Sequence, residues 1–124
     1  MDYRELFAAV RRRPRMYLPD ETYASAVAFV SGCQASTGGL LLEGFREWLQ
    51  VRVGRIASLT FDGLAGELAR SDSDADRIAA LFDALDAFLA ERDSHGLEKT
   101  FDAYLELLRA EGLYESRKQR WSAE

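Results

Sequence analysis

The chain has 124 residues, a formal net charge of −5, two prolines, one cysteine and one histidine. That length suits a single domain with a genuine core, and 48% hydrophobic content with 11% aromatics excludes an intrinsically disordered chain. A lone Cys33 excludes an internal disulfide framework. One Cys and one His supply neither the usual structural zinc ligands nor a Ser-His-Asp or Cys-His centre, unless His95 acts alone. No carboxylate pair is flanked so as to raise one pKa selectively, so general acid–base work has no support. The expectation is a non-enzyme without metal or cofactor.

Asp2 is placed to cap a first helix whose apolar positions are Tyr3, Leu6, Phe7 and Val10. Pro14 ends it, because proline disfavours helical geometry in the preceding residue. Residues 14–21 read as an extended connector with Pro19 as a second stop. Thr22 opens a second helix with Tyr23, Val27 and Val30 on one face and Ala26 and Phe29 beside them; Cys33, near its end, reads as a buried structural cysteine. After Gly38-Gly39 a third helix starts near Leu40, carries Phe45, Trp48, Leu49 and Arg52, and stops at Gly54.

Leu59, Phe61, Leu64 and Leu68 define a short helix over 58–70, against which Gly63 and Gly66 each count about 1 kcal/mol. Residues 71–76 are a polar helix entry, with acids where the helix dipole favours them. The clearest element follows, a fourth long helix with Ile78, Leu81, Phe82, Leu85, Phe88 and Leu89 at 3–4 spacing, broken at Ser94-His95-Gly96. A fifth repeats the pattern with Leu97, Phe101, Tyr104, Leu105 and Leu108 and ends at Gly112. Residues 115–124 form a polar tail whose Trp121 either folds back on the bundle or inserts into a partner. The fold class is all-α, a compact single-domain bundle of five or six helices over 1–124. No stretch approaches the roughly 18 apolar residues of a membrane span, and the charged run Met1–Glu5 is unlike a signal peptide. A cytoplasmic location and no membrane partner are expected.

Arginine outnumbers lysine fourteen to two and asparagine is absent, a usage that fits a GC-rich bacterial genome better than nucleic-acid binding. The charge is segregated. Residues 1–71 hold nine bases and eight acids, residues 72–115 four bases and twelve acids, and residues 116–124 three bases and one acid. Asp76, Asp83, Asp86 and Asp93 recur opposite the leucine face of the fourth helix, and Glu98, Asp102 and Glu106 sit at i, i+4 and i+8 on the fifth. Like charges four apart destabilise a helix by about 0.2–0.5 kcal/mol per pair, which a basic partner could recover while gaining in association rate. Two readings follow: solvated helix faces, or a partner-binding acidic surface. The opposite pole, Arg11, Arg12, Arg13 and Arg15, reads as complementing the first helix's C-terminal dipole, as an intramolecular salt-bridge anchor, or as an anion site. Nucleic acid is not the expected partner, because stacking aromatics are not interleaved.

The run Phe7–Leu18, with Arg13-Pro14-x-Met16-Tyr17, resembles the opening of type II topoisomerase ATPase subunits over about a dozen residues. Arg15 and Pro19 replace glycines of that family, and its nucleotide loops and magnesium-binding Asn have no counterpart, so the likeness implies a helix-to-turn device in which Met16 and Tyr17 plug the core. A broader resemblance covers residues 3–105. The order Arg-Pro-x-Met-Tyr-Leu, Phe29-Val30-Ser31-Gly32, Gly44-Phe45-Arg46-Glu47-Trp48-Leu49 and Leu81–Leu89 is similar to small bacterial, often actinobacterial, proteins, some of which look like immunity proteins of polymorphic toxin systems. The resemblance implies a protein that binds and occludes a toxin domain, here one with a basic surface. The alternatives are a dimeric regulatory or scaffold protein, or a nucleic-acid binder using the arginine cluster.

Overall fold

The computed structural model describes residues 1–113, so the polar tail and Trp121 lie outside the described residues. Six α-helices form without strands among the described residues: α1 (Tyr3–Arg12), α2 (Tyr23–Ser36), α3 (Phe45–Val53), α4 (Phe61–Ala69), α5 (Asp74–His95) and α6 (Glu98–Ala110). The fold is an all-α bundle, and the short 58–70 segment supplies the sixth helix.

The helix starts follow from capping chemistry. Asp2, Thr22 and Ser73 each turn a side-chain oxygen onto an orphan N–H three residues on, of Glu5, Ser25 and Asp76. Asp20 reinforces the start of α2. Its Oδ1 accepts from the hydroxyls of Thr22 and Ser25, both at 2.6 Å. Asp74, the first residue of α5, accepts from the Tyr23 N–H at 2.7 Å and ties the N-termini of α2 and α5 together.

α5 is the spine. One face of it (Ile78, Leu81, Phe82, Leu85, Phe88, Leu89) is buried against α1, α2, α3 and α4. Phe7 and Val10 come from α1, Ala26 and Val30 from α2, Phe45 and Leu49 from α3, and Leu64 from α4. Each large side chain so buried contributes about 1.5–3 kcal/mol. Phe45 is the hub of the aromatic packing, with ring centroids 5.2 Å from Phe88, 6.1 Å from Phe61 and 6.2 Å from Trp48. α6 stands apart from this spine and packs on α3 through Thr100, Tyr104 and Leu108, which recur every fourth residue.

Five expectations are corrected. Residues 14–21 are not wholly extended, because Pro14–Met16 form a 3-10 turn in which Leu18 N–H reaches back to the Pro14 carbonyl at 2.8 Å. That turn throws Met16 and Tyr17 outward, 67% and 40% exposed, and it is Leu18 that enters the core. α3 begins at Phe45, not near Leu40, because Gly44 takes φ +87° and breaks the helical path. Leu41 and Leu42 are buried in turns instead, their N–H groups held by the side chains of Thr37 (3.0 Å) and Gln34 (2.7 Å). Cys33 is half-buried, and Phe101 turns out to be 37% exposed because α6 docks on the neighbouring row of residues.

Candidate functional site

The structure sorts the acids into two groups. Asp83 and Asp86 on α5 face α1, where Arg11 Nε and Arg4 Nε each approach to 3.2 Å. Arg4 and Arg11 are seven residues apart, two helical turns, and so lie on one side of α1. These ion pairs remain open to water and lash α1 to α5 rather than present free charge. Asp76 and Asp93 are exposed and face no cation within salt-bridge distance among the described residues.

On α6, Glu98, Asp102 and Glu106 are all exposed and none forms a salt bridge among the described residues. Their spacing makes a straight ridge along the outer side of α6. Phe101 sits beside Asp102 on the same surface. The α5 acids Asp83 and Asp86 belong to the contact with α1, whereas α6 packs against α3.

The arginine cluster is divided as well. Arg11 is committed to Asp83, while Arg12, Arg13 and Arg15 are exposed and form no salt bridge among the described residues, Arg15 lying near enough to Asp20 to stabilise its carboxylate. Arg11 and Arg12 occupy the last turn of α1, where cations favour the helix dipole. Arg13 Nη1 lies 3.9 Å from the Met16 sulfur.

Among the described residues three groups have shifted acidity, and only Asp20 among them feels one of these charges, that of Arg15. Burial pushes the Tyr23 hydroxyl up to about 12, and that hydroxyl donates to the Asp62 carbonyl. Burial also raises the Cys33 thiol, which removes thiolate character. Hydrogen bonds from Ser25 and then Thr22 hold the Asp20 carboxyl below its ordinary value. Each shift is explained by packing or capping. His95 is exposed at the end of α5. Among the described residues no three His, Cys, Asp or Glu side chains are grouped to hold a metal ion, and no helix is long and apolar enough to cross a membrane.

Two concavities meet at the pair Trp48 and Arg52. An open groove of about 680 Å³ runs along α5 past Ala79, Ala80 and Ala87, with Leu68 of α4 on its far side. A tighter cleft of about 330 Å³ lies between α3 and α6 and is lined by Val51, Lys99, Thr100 and Ala103 as well as Glu91 of α5. Within it Trp48 Nε1 donates to Glu91 Oε2 at 3.0 Å. Thr100 is 2% exposed and its hydroxyl has no partner, a condition that costs about 1–3 kcal/mol in a buried site. Sequence reading did not single out Glu91, Lys99 or Thr100. The one signal was the placement of Arg52 four residues after Trp48, which sets its guanidinium 4.5 Å over the indole. No protein-family model, curated protein or solved structure matches the chain.

Proposed function

We propose that this chain is a small binding protein of the immunity type, which associates with a basic toxin domain and occludes it, and that it acts by binding rather than by catalysis. The observation that carries the reading is the ridge of Glu98, Asp102 and Glu106, three carboxylates with no salt-bridged cation among the described residues, beside a partly exposed Phe101. Unpaired acids around an apolar anchor suit a partner that supplies arginine or lysine at the rim and an apolar socket at the centre. Asp76 and Asp93 add steering charge. Asp83 and Asp86 contribute less, because α1 already neutralises them. The likeness to immunity-type proteins, from the Arg13-Pro14-x-Met16-Tyr17-Leu18 turn through the Leu81–Leu89 run, points the same way.

The test uses the reading frame beside this gene. Expressed alone it should arrest growth, and co-expression of this chain should restore it. Glu98→Gln, Asp102→Asn and Glu106→Gln together should slow association at least about tenfold at low salt, whereas Asp83→Asn and Asp86→Asn should change it little. A harmless neighbour, combined with no partner retained by tagged protein in its native host, would sink the proposal.

A further inference from the structure

We propose that the cleft between α3 and α6 is a binding site for a small organic anion, its carboxylate or phosphate group held by Arg52 and Lys99 and its apolar body laid against Val51 and Ala103. The volume of about 330 Å³ lies within the range of small-molecule sites. The charge of the lining is the first argument. Residues 72–115 carry a balance of −8, yet this cleft presents two cations and one carboxylate.

That carboxylate is already occupied. Glu91 accepts from the Trp48 indole at 3.0 Å, its other oxygen lies 3.9 Å from Lys99 Nζ, and its side chain is 19% exposed. Glu91 therefore positions Trp48 and Lys99. Arg52 is the contrast. Arg4, Arg11, Arg55 and Arg77 each face a carboxylate, and Arg46 and Arg92 donate to backbone carbonyls. Arg52 stacks on Trp48 and donates to no acceptor among the described residues, so its planar fork of N–H groups is pre-oriented and unspent there.

Two further observations converge on the same cleft. The buried Thr100 hydroxyl lacks a partner, and unsatisfied buried groups of this kind are rare in folded proteins. Leu97, which precedes α6, offers no side-chain acceptor to the first-turn N–H groups, and Lys99 and Thr100 lie in that turn next to Glu98. The unspent Arg52 head and the exposed Lys99 ammonium, 3.9 Å from Glu91, line one concavity with Thr100 in its wall, and the two cations favour an anionic ligand.

The experiment reads Trp48 directly. The chain has two tryptophans, so Trp121→Phe leaves Trp48 as the only indole. This variant is titrated separately with phenyl phosphate and benzoate while Trp48 emission is followed. A saturable change with either anion is expected, and the tighter of the two identifies phosphate or carboxylate as the preferred head group. Lys99→Gln, an exposed substitution, and Arg52→Gln should each weaken binding about tenfold or more, equivalent to about 1.4 kcal/mol. Arg12→Gln, an equally exposed cation on α1, should leave binding unchanged. Absence of a saturable response to both anions overturns the proposal, as does equal weakening by Arg12→Gln. Glu98→Gln, Asp102→Asn and Glu106→Gln should not weaken anion binding, which separates this site from the acidic ridge.

Discussion

α5 and α6 carry the same signature, leucines and aromatics on one side and carboxylates on the other, yet they occupy different positions in the molecule. α5 buries seven residues and is surrounded by four other helices, and two of its acids are met by arginines of α1. α6 buries three residues, leans on α3, and leaves Glu98, Asp102 and Glu106 without a salt bridge among the described residues. A stripe of acids therefore says nothing by itself about free charge. What decides is whether another helix carries cations in register, as Arg4 and Arg11 do.

The sharpest way to break this comparison is to remove core from each helix. Phe88→Ala, at the centre of the aromatic packing, should cost about 3–5 kcal/mol and lower the urea midpoint of the whole molecule. Leu108→Ala should cost about 2–3 kcal/mol, at the lower end for such truncations, because it touches one neighbouring helix. Native-state hydrogen exchange should then show α6 amides opening well below the free energy of α5 amides. Equal protection of the two helices would show that α6 belongs to the same cooperative unit as the spine.

Gly44→Ala tests how α6 is seated. A Cβ at Gly44 would lie 2.6 Å from Leu97 Cδ2, on a backbone at φ +87°. The side-chain end can move, but the left-handed backbone strain stays, so a loss of about 1–2 kcal/mol is expected by thermal melt. Gly54→Ala, at φ +89° with no atom within 4 Å of the added carbon, isolates that strain from the contact. A larger loss at Gly44 than at Gly54 assigns the difference to the Leu97 contact that leads into α6.

Much of this fold could be read from residue order. The caps Asp2 and Thr22, the stop at Gly54 and the long face from Ile78 to Leu89 are local signals, and local chemistry decided them. The failures are non-local. Met16 and Tyr17 are apolar, but a proline-started 3-10 turn rotated them outward and put Leu18 inside. Leu40 to Leu42 resemble a helix start, but the side chains of Gln34 and Thr37 captured that backbone in turns. The acids of α5 and α6 were visible as stripes, whereas their pairing depended on which helix lay beside each. The α3–α6 cleft was hidden for the same reason, because Arg52 is far in sequence from Glu91 and Lys99 and meets them only through packing.

The smallest effects carry the opposite sign in the two helices, and that makes them the most discriminating. Arg11→Ala breaks an exposed pair with Asp83 and should cost about 0.2–1 kcal/mol, a loss that shrinks as salt is added. Asp102→Asn should instead be neutral or stabilising, because it removes two like-charge contacts, with Glu98 and Glu106, each unfavourable by about 0.2–0.5 kcal/mol. Matched denaturant titrations at low and high salt resolve the two. If Asp102→Asn destabilised the protein as Arg11→Ala does, a cation would have to neutralise the ridge within the chain itself, and α6 would lose the free charge that separates it from α5.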